Sequence, residues 1–336
     1  MPSPSSEPAP LPTTRFGRTG LQVPAVSLGT WAYGGENLAG TAEVGWSGHD
    51  EGQAIAAMQL AFLRGITHWD TADVYGNGRS EELIGSMWAR GIPRDQITLA
   101  SKVGWYRGDY PHFYHPDLVR EQLEGSLKRL KTDVIDVFYL HHCDFGPDDR
   151  WLGPALQILR DARAAGKIRF IGLSDWDDER LMRHLPTVDP DVIQPYRNVT
   201  HDEFHASGLA AWCDHHDLGV AFFSPLRHGL LLGKYTQPPT FPHGDFRNSD
   251  PVFKDAGALT RIAENAKALR ARFSDRSSEP VIAALIAACL FDAKHATVLL
   301  GQRTPAQVEA AFAAASLRIE FEELAWIRSL YFGVPA

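Results

Sequence analysis

Four polar residues stand at the ends of consecutive apolar runs: Asp70 and Tyr75 in HWDTADVYG, Lys102 in LASKVG and His141 in FYLHHCD. A carboxylate, a phenol, an ammonium and an imidazole can together deliver one proton to a developing alkoxide. Tyrosine is a weak acid near neutrality, with an ordinary pKa of about 10. A neighbouring ammonium favours the phenolate and lowers that value. Lys102 can supply the ammonium, and Asp70 can hold it charged and aimed. Tyr75 is then a candidate general acid in one direction and general base in the other. His141 can donate a hydrogen bond to the reacting oxygen and orient it. The plainer reading of the same residues is a buried Asp–Lys ion pair beside a tyrosine.

The elements that must position these groups alternate along the chain. Strands are expected at 26–30, 66–70, 97–103, 134–140, 168–174, 192–196, 219–223 and 297–300. Helices are expected near 51–64, 81–89, 118–130, 151–165, 178–184, 204–216, 257–273 and 281–291, and again at 305–316 and 320–330. Val119, Leu123, Leu127 and Leu130 share one helical face. Thr304-Pro305-Ala306-Gln307 reads as a capping box with proline at the first helical position. Ser80, followed by two acidic residues, suits a helix N-terminus.

This alternation predicts a closed parallel (β/α)8 TIM barrel, forming a single domain over residues 15–333 with extra C-terminal helices. A hairpin over 16–24 would close its bottom, and the Pro/Ser-rich residues 1–14 read as a disordered tail. An open doubly wound sheet is the alternative, but no GxGxxG opens a first βα turn. Barrel active sites lie at the C-terminal rim of the strands. Thr30, Asp70, Lys102, His141, Ser174, Gln194 and Ser224 would converge there. The irregular stretch 226–256 is long enough to be functional or mobile.

Composition narrows the partners. The 336 residues carry a net charge of −8 with no basic stripe, which argues against nucleic acid. The richest apolar run, 281–290, is too short to span a membrane. Cys143, Cys213 and Cys289 have neither metal spacing nor an even count, and free thiols fit a reducing cytoplasm. The pairs His141-His142, His201 with His205, and His215-His216 read as surface histidines rather than metal ligands. Trp31, Tyr33, Trp46, Trp105 and Tyr106 fall near expected top loops, as walls of an apolar substrate pocket or as ordinary packing.

The chain also resembles the aldo-keto reductase superfamily, from about Arg15 to about Ala315. The resemblance rests on GRTGLQVPAVSLGTW, HWDTADVYGNGRSEELIG, LASKVG, SLKRLKTDVIDVFYLHH, IRFIGLSDW, SPLRHGLLLGKY and LLGQRTPAQVEAAF. It is nearest to a bacterial branch with a WxGxD insertion before the first helix, here Trp46 to Asp50.

That likeness implies carbonyl–alcohol interconversion by hydride transfer, with Asp70, Tyr75, Lys102 and His141 as the catalytic set. It also implies an extended nicotinamide cofactor, and no metal. Gly29, Thr30 and Trp31 match the segment beside the nicotinamide ribose. Ser174 and Gln194 match carboxamide partners, with Asp175 where relatives usually carry Asn. Phe223 takes the place of the aromatic stacked under the nicotinamide. Ser224, Pro225, Leu226, Arg227, Gly229, Leu230 and Lys234 match the pyrophosphate loop, although Lys234 is equally readable as a surface charge. Gly301, Gln302 and Arg303 lead into a helix N-terminus. Arg303 there suits a 2′-phosphate, favouring NADP(H) with NAD(H) still open. Gln307 matches a cofactor contact but is also the capping partner of Thr304, and Ala310 and Ala311 replace a usual Glu-Asn pair. Two other roles stay open: a cofactor-binding module serving a protein partner, as in potassium-channel β subunits, and a metal-dependent barrel hydrolase. Substrate, direction and oligomeric state are not legible.

Overall fold

The computed structural model describes residues 10–39, 41–106 and 108–335. Eight parallel strands close into a barrel: β1 (Val26–Gly29), β2 (His68–Asp70), β3 (Thr98–Val103), β4 (Ile135–Leu140), β5 (Ile168–Asp175), β6 (Val192–Pro195), β7 (Gly219–Phe222) and β8 (Ala296–Gly301). They pair in chain order, and β8 returns to β1 with Val298 opposite Val26. The outer helices are α1 (Glu51–Leu63), α2 (Arg79–Ser86), α3 (Pro116–Arg129), α4 (Leu152–Ala164), α5 (Asp178–Val188) and α6 (Leu209–His216). They continue with α7 (Ala256–Phe273), α8 (Pro280–Leu290), α9 (Pro305–Ala314) and α10 (Phe321–Tyr331).

The barrel interior explains the position of the polar groups. Ser27, His68 and Thr297 form a buried hydrogen-bonded set, with Ser27 Oγ 2.9 Å from His68 Nδ1 and 2.6 Å from Thr297 Oγ1. Ala100, Val137, Tyr139, Val192, Ala221 and Leu299 pack together with Phe16. Side chains two residues apart on a strand share a face. Lys102 therefore follows Ala100, His141 follows Tyr139, Gln194 follows Val192 and Phe223 follows Ala221, one layer nearer the strand ends. His141 lies just beyond β4 but keeps the ladder, its amide donating to Val103 O at 2.9 Å. Gly172 has no side chain because the Tyr139 ring fills that space.

The N-terminal hairpin corrects two expectations. Its strands are Thr13–Arg15 and Gln22–Pro24, and Leu11 is already buried in the core. Residues 10–14 thus belong to the fold, while residues 1–9 of the expected tail lie outside the described residues. Phe16 is fully buried and plugs the barrel bottom against Gly219, where a Cβ would strike its ring.

Helix starts also shift. Gly78, at φ 97°, caps α2, so Ser80 lies inside the helix and its hydroxyl donates to Thr30 Oγ1 at 2.8 Å. The α6 helix starts at Leu209 after Gly208 in the left-handed region, not at 204. Thr304 does cap α9 through the Gln307 amide, a contact worth ~1 kcal/mol. The reciprocal half of the box moves one residue: Gln307 Oε1 accepts from the Arg303 amide at 2.7 Å. The stretch 226–256 is built from short helical turns, Arg227–Leu232, Phe246–Asn248 and Pro251–Lys254. It is tied to the loop before α1, since Ser47 N donates to Asp245 Oδ2 at 2.7 Å.

Candidate active site

Thr30 fixes the end of β2 by donating its amide (3.0 Å) and hydroxyl (2.8 Å) to Asp70 O. The Asp70 carboxylate accepts from Lys102 Nζ at 2.5 Å and from Gln194 Nε2 at 2.8 Å. Lys102 is fully buried and also donates to Thr71 O at 2.8 Å and to the Tyr75 hydroxyl at 3.2 Å. The Tyr75 and His141 rings stand 5.9 Å apart. Asp70, Tyr75, Lys102 and His141 are therefore brought together at one end of the barrel.

Burial decides the protonation of this group. Burial alone would lower the Lys102 pKa, but Asp70 and Tyr75 outweigh it and the ammonium is held above its ordinary value. For Tyr75 burial is again the largest influence and raises the pKa, with Lys102 offsetting only part of it. The phenol is thus not held below 10, contrary to the expectation from its neighbour alone. Burial, then Lys102 and His142, push His141 well below the ordinary histidine value, so its ring is neutral at neutral pH.

A cavity of about 490 Å³ opens over these residues. Asp70, Tyr75 and His141 reach it, whereas Lys102 lies beneath them. Gly29, Thr30 and Trp31 line it from the end of β1, Ser174 and Gln194 from β5 and β6, and Phe223, Ser224, Pro225, Leu226, Gly229 and Lys234 from the segment after β7. Gly301, Arg303 and Gln307 line it at the start of α9, and Trp105 on the loop after β3.

Other expected residues stand behind this wall. Asp175 turns its carboxylate to the amides of Cys143 (2.6 Å) and Asp177 (2.9 Å). Arg227 pairs with Asp250 and Thr200 and donates to Pro335 O, so it anchors the loop instead of facing the cavity. Leu230 is core, and Gln302 donates inward to Ser27 O at 3.2 Å. Tyr33 is fully buried with its hydroxyl on Gln302 O at 2.7 Å, not in the pocket wall. Tyr106 is among the exposed residues, and His142 is buried against Trp105, not on the surface.

Sequence reading missed several wall residues. Trp176 follows Ser174-Asp175 and packs edge-on to Phe223 at 4.8 Å. His228 sits within the loop read for phosphates, at φ 55°, and Phe246 belongs to the long irregular stretch. An aromatic directly after a strand end was the available signal for Trp176; the other two carry no periodicity. Among the described residues, no group of three or more His, Cys, Asp or Glu could hold a metal ion, and no helix is long and apolar enough to cross a membrane.

A family model described as the Aldo/keto reductase family matches residues 25–331, spanning every barrel strand. The chain belongs to the aldo/keto reductase family. Aldo-keto reductase YhdN of Bacillus subtilis is 31% identical over 309 residues, covering 88% of this chain and 86% of that protein. The NADH-specific methylglyoxal reductase of Escherichia coli is 28% identical over 330 residues, covering 94% and 97%. The solved structure of a glycerol dehydrogenase, AKR11B4, from Gluconobacter oxydans superimposes with a TM-score of 0.77 at 26% identity, covering 96% of each chain. This aldo-keto reductase is therefore an oxidoreductase of carbonyls and alcohols, and members of the family use NAD(P)H.

The cavity residues fit such a cofactor. Phe223 offers a flat apolar face, Gly229 leaves the backbone approachable, and Lys234 and Arg303 supply cations for an anionic chain. Arg303 has no carboxylate partner among the described residues; its Nη1 donates to Ser47 O at 3.0 Å.

Proposed function

We propose that this aldo-keto reductase interconverts small aldehydes, ketones or sugars and their alcohols, with NADP(H) preferred and Tyr75 as general acid and base. The observation that carries the reading is the Tyr75 hydroxyl at 3.2 Å from Lys102 Nζ, with Lys102 held at 2.5 Å by Asp70, beside the cavity. A reduced nicotinamide, when bound, would supply the hydride for the carbonyl carbon. Tyr75 gives its hydroxyl proton to the carbonyl oxygen, and Lys102 stabilises the phenolate left behind. Asp70 keeps Lys102 charged. His141, neutral, donates one ring N–H to the same oxygen and fixes its direction. In oxidation the proton returns to Tyr75.

Ser174 and Gln194 would hold the carboxamide, Phe223 would offer its face to the ring, and Gly29, Thr30 and Trp31 would serve the ribose. Ser224, Pro225, Leu226, Gly229 and Lys234 would hold the pyrophosphate. Asp175, Arg227, Leu230 and Gln302 support these segments from behind. The far end falls to Gly301, Arg303 and Gln307. A guanidinium beside a helix N-terminus, without a carboxylate partner among the described residues, supports a 2′-phosphate there. Three free, buried cysteines support a cytoplasmic location.

Fluorescence titration with NADPH and NADH, followed by a panel of aldehydes, ketones and sugars, tests the reading. NADPH binds more tightly than NADH, and at least one carbonyl is turned over. Absence of turnover across the panel in the presence of saturating cofactor overturns it.

A further inference from the structure

Six rings form one continuous arc over the cavity. Trp176 stacks on Phe246 at 6.0 Å, Phe246 meets Trp31 at 5.1 Å, and Trp31 lies nearly parallel to Tyr75 at 6.1 Å with 23° between planes. Tyr75 then meets His141 at 5.9 Å, and His141 meets Trp105 at 6.3 Å. All six are cavity walls.

The arc is held rigidly. Trp31 Nε1 donates to Val44 O at 2.8 Å. Trp105 follows Gly104, at φ 143°, where a Cβ would strike the Tyr114 hydroxyl, and its ring packs on His142 at 4.7 Å. Phe246 is fixed by the neighbouring Asp245–Arg247 pair, whose closest contact is 2.6 Å.

The arc is also electrically neutral. Arg247, which lies over the Trp46 ring, is neutralised by Asp245, and Lys102 by Asp70. His141 and His228 are uncharged near neutral pH, burial having pushed His228 down to about 4. The remaining wall cations, Lys234 and Arg303, stand on the segments assigned above to the cofactor's phosphates. A carboxylate or phosphate on the substrate would leave water here without a counterion, which is strongly unfavourable. A chain of free hydroxyls would meet ring faces in place of partners.

We infer that the substrate of this site is a flat, uncharged aryl aldehyde or ketone, seated against the arc with its carbonyl at Tyr75 and His141. This rests on the reading of Tyr75 as proton donor. Substrate selection then lies in Trp105 and Trp176.

The test compares kcat/KM for benzaldehyde, 4-carboxybenzaldehyde and glyceraldehyde with saturating cofactor. Benzaldehyde is expected to lead each of the others by about thirtyfold or more, and Trp105→Ala to reduce its advantage over propanal about tenfold. Ring binding is read separately by quenching of tryptophan fluorescence, in which benzamide quenches and 4-carboxybenzamide does not. Equal turnover of benzaldehyde and 4-carboxybenzaldehyde overturns the inference while leaving Tyr75 in its role. Benzamide-selective quenching without turnover of any carbonyl overturns the proton-donor reading while leaving the neutral slot. Neither turnover nor quenching overturns both.

Discussion

Gly34 and Gly76 cross backbone to backbone, and a Cβ on either would land on the main chain of the other. This crossing joins the loop that carries Trp31 to the loop that carries Tyr75. It brings the indole and the phenol into parallel contact without any side chain between their supports.

Gly34→Ala should therefore misplace Tyr75. Forcing the loops apart is expected to destabilise the protein by roughly 1–3 kcal/mol, as for an overpacked core. Urea unfolding measures the loss. Activity should fall further than stability explains, because Tyr75 moves relative to Lys102.

Removal of one oxygen isolates the proton. Tyr75→Phe is expected to lower kcat/KM by roughly 10²–10⁴-fold, the usual contribution of a positioned acid. Cofactor affinity, read by fluorescence titration, should change little. Full activity in this variant would refute the role of Tyr75.

Burial raises the Tyr75 pKa above its ordinary value. In the proposed role of Tyr75, reduction needs the protonated phenol, so its rate should stay level through neutral pH and decline only above about 10. Oxidation needs the phenolate and should climb over that same alkaline range. His141 is held well below the ordinary histidine value, so no acidic limb near pH 6.5 should come from it. Profiles of kcat/KM in both directions measure these limbs.

Arg303→Ala should separate the two cofactors. Among the described residues, the hydrogen-bond acceptors of the guanidinium are the backbone carbonyls of Ser47 and Gly48. Its loss is expected to weaken NADPH by about tenfold, ~1.4 kcal/mol, with NADH nearly unaffected. Equal weakening of both would remove the 2′-phosphate assignment.

Asp73 gives a stability signature. Its carboxylate is buried, and burial, then Glu81, push its pKa up to about 8 against the opposing pull of Arg129 and the Val74 amide. Between an unfolded value near 3.9 and about 8, the native state holds a proton that the unfolded chain has released. Stability therefore falls as pH rises through that window and levels above it. Asp73→Asn removes the slope. Its Tm should exceed the parent's by roughly 2 °C or more at pH 9, where ~1.4 kcal/mol suffices, and by less at pH 6.

Strand positions were legible because strands buried on both faces read as short apolar runs between amphipathic stretches, as at Thr98–Val103 and Val192–Pro195. Residues whose direction depends on tertiary hydrogen bonds were not. Asp175 is drawn off by the Cys143 amide, Arg227 by Asp250 and Pro335, and Tyr33 by Gln302. The Tyr75 pKa escaped because a nearby lysine is visible in the sequence and the burial opposing it is not. Trp176 and Phe246 became wall residues only through the folding of neighbouring loops.

The ladder between β1 and β8 joins strands far apart in the sequence, Val26 to Val298. On the ribosome, Val26 must wait for Val298 to emerge before the ring of strands can shut. Until then β1 is an apolar edge without its last neighbour, open to chaperones or to another nascent chain. Gly29 and Gly301, both proposed to serve the cofactor, are also paired across that seam, so on that proposal cofactor binding should arrive late in biosynthesis.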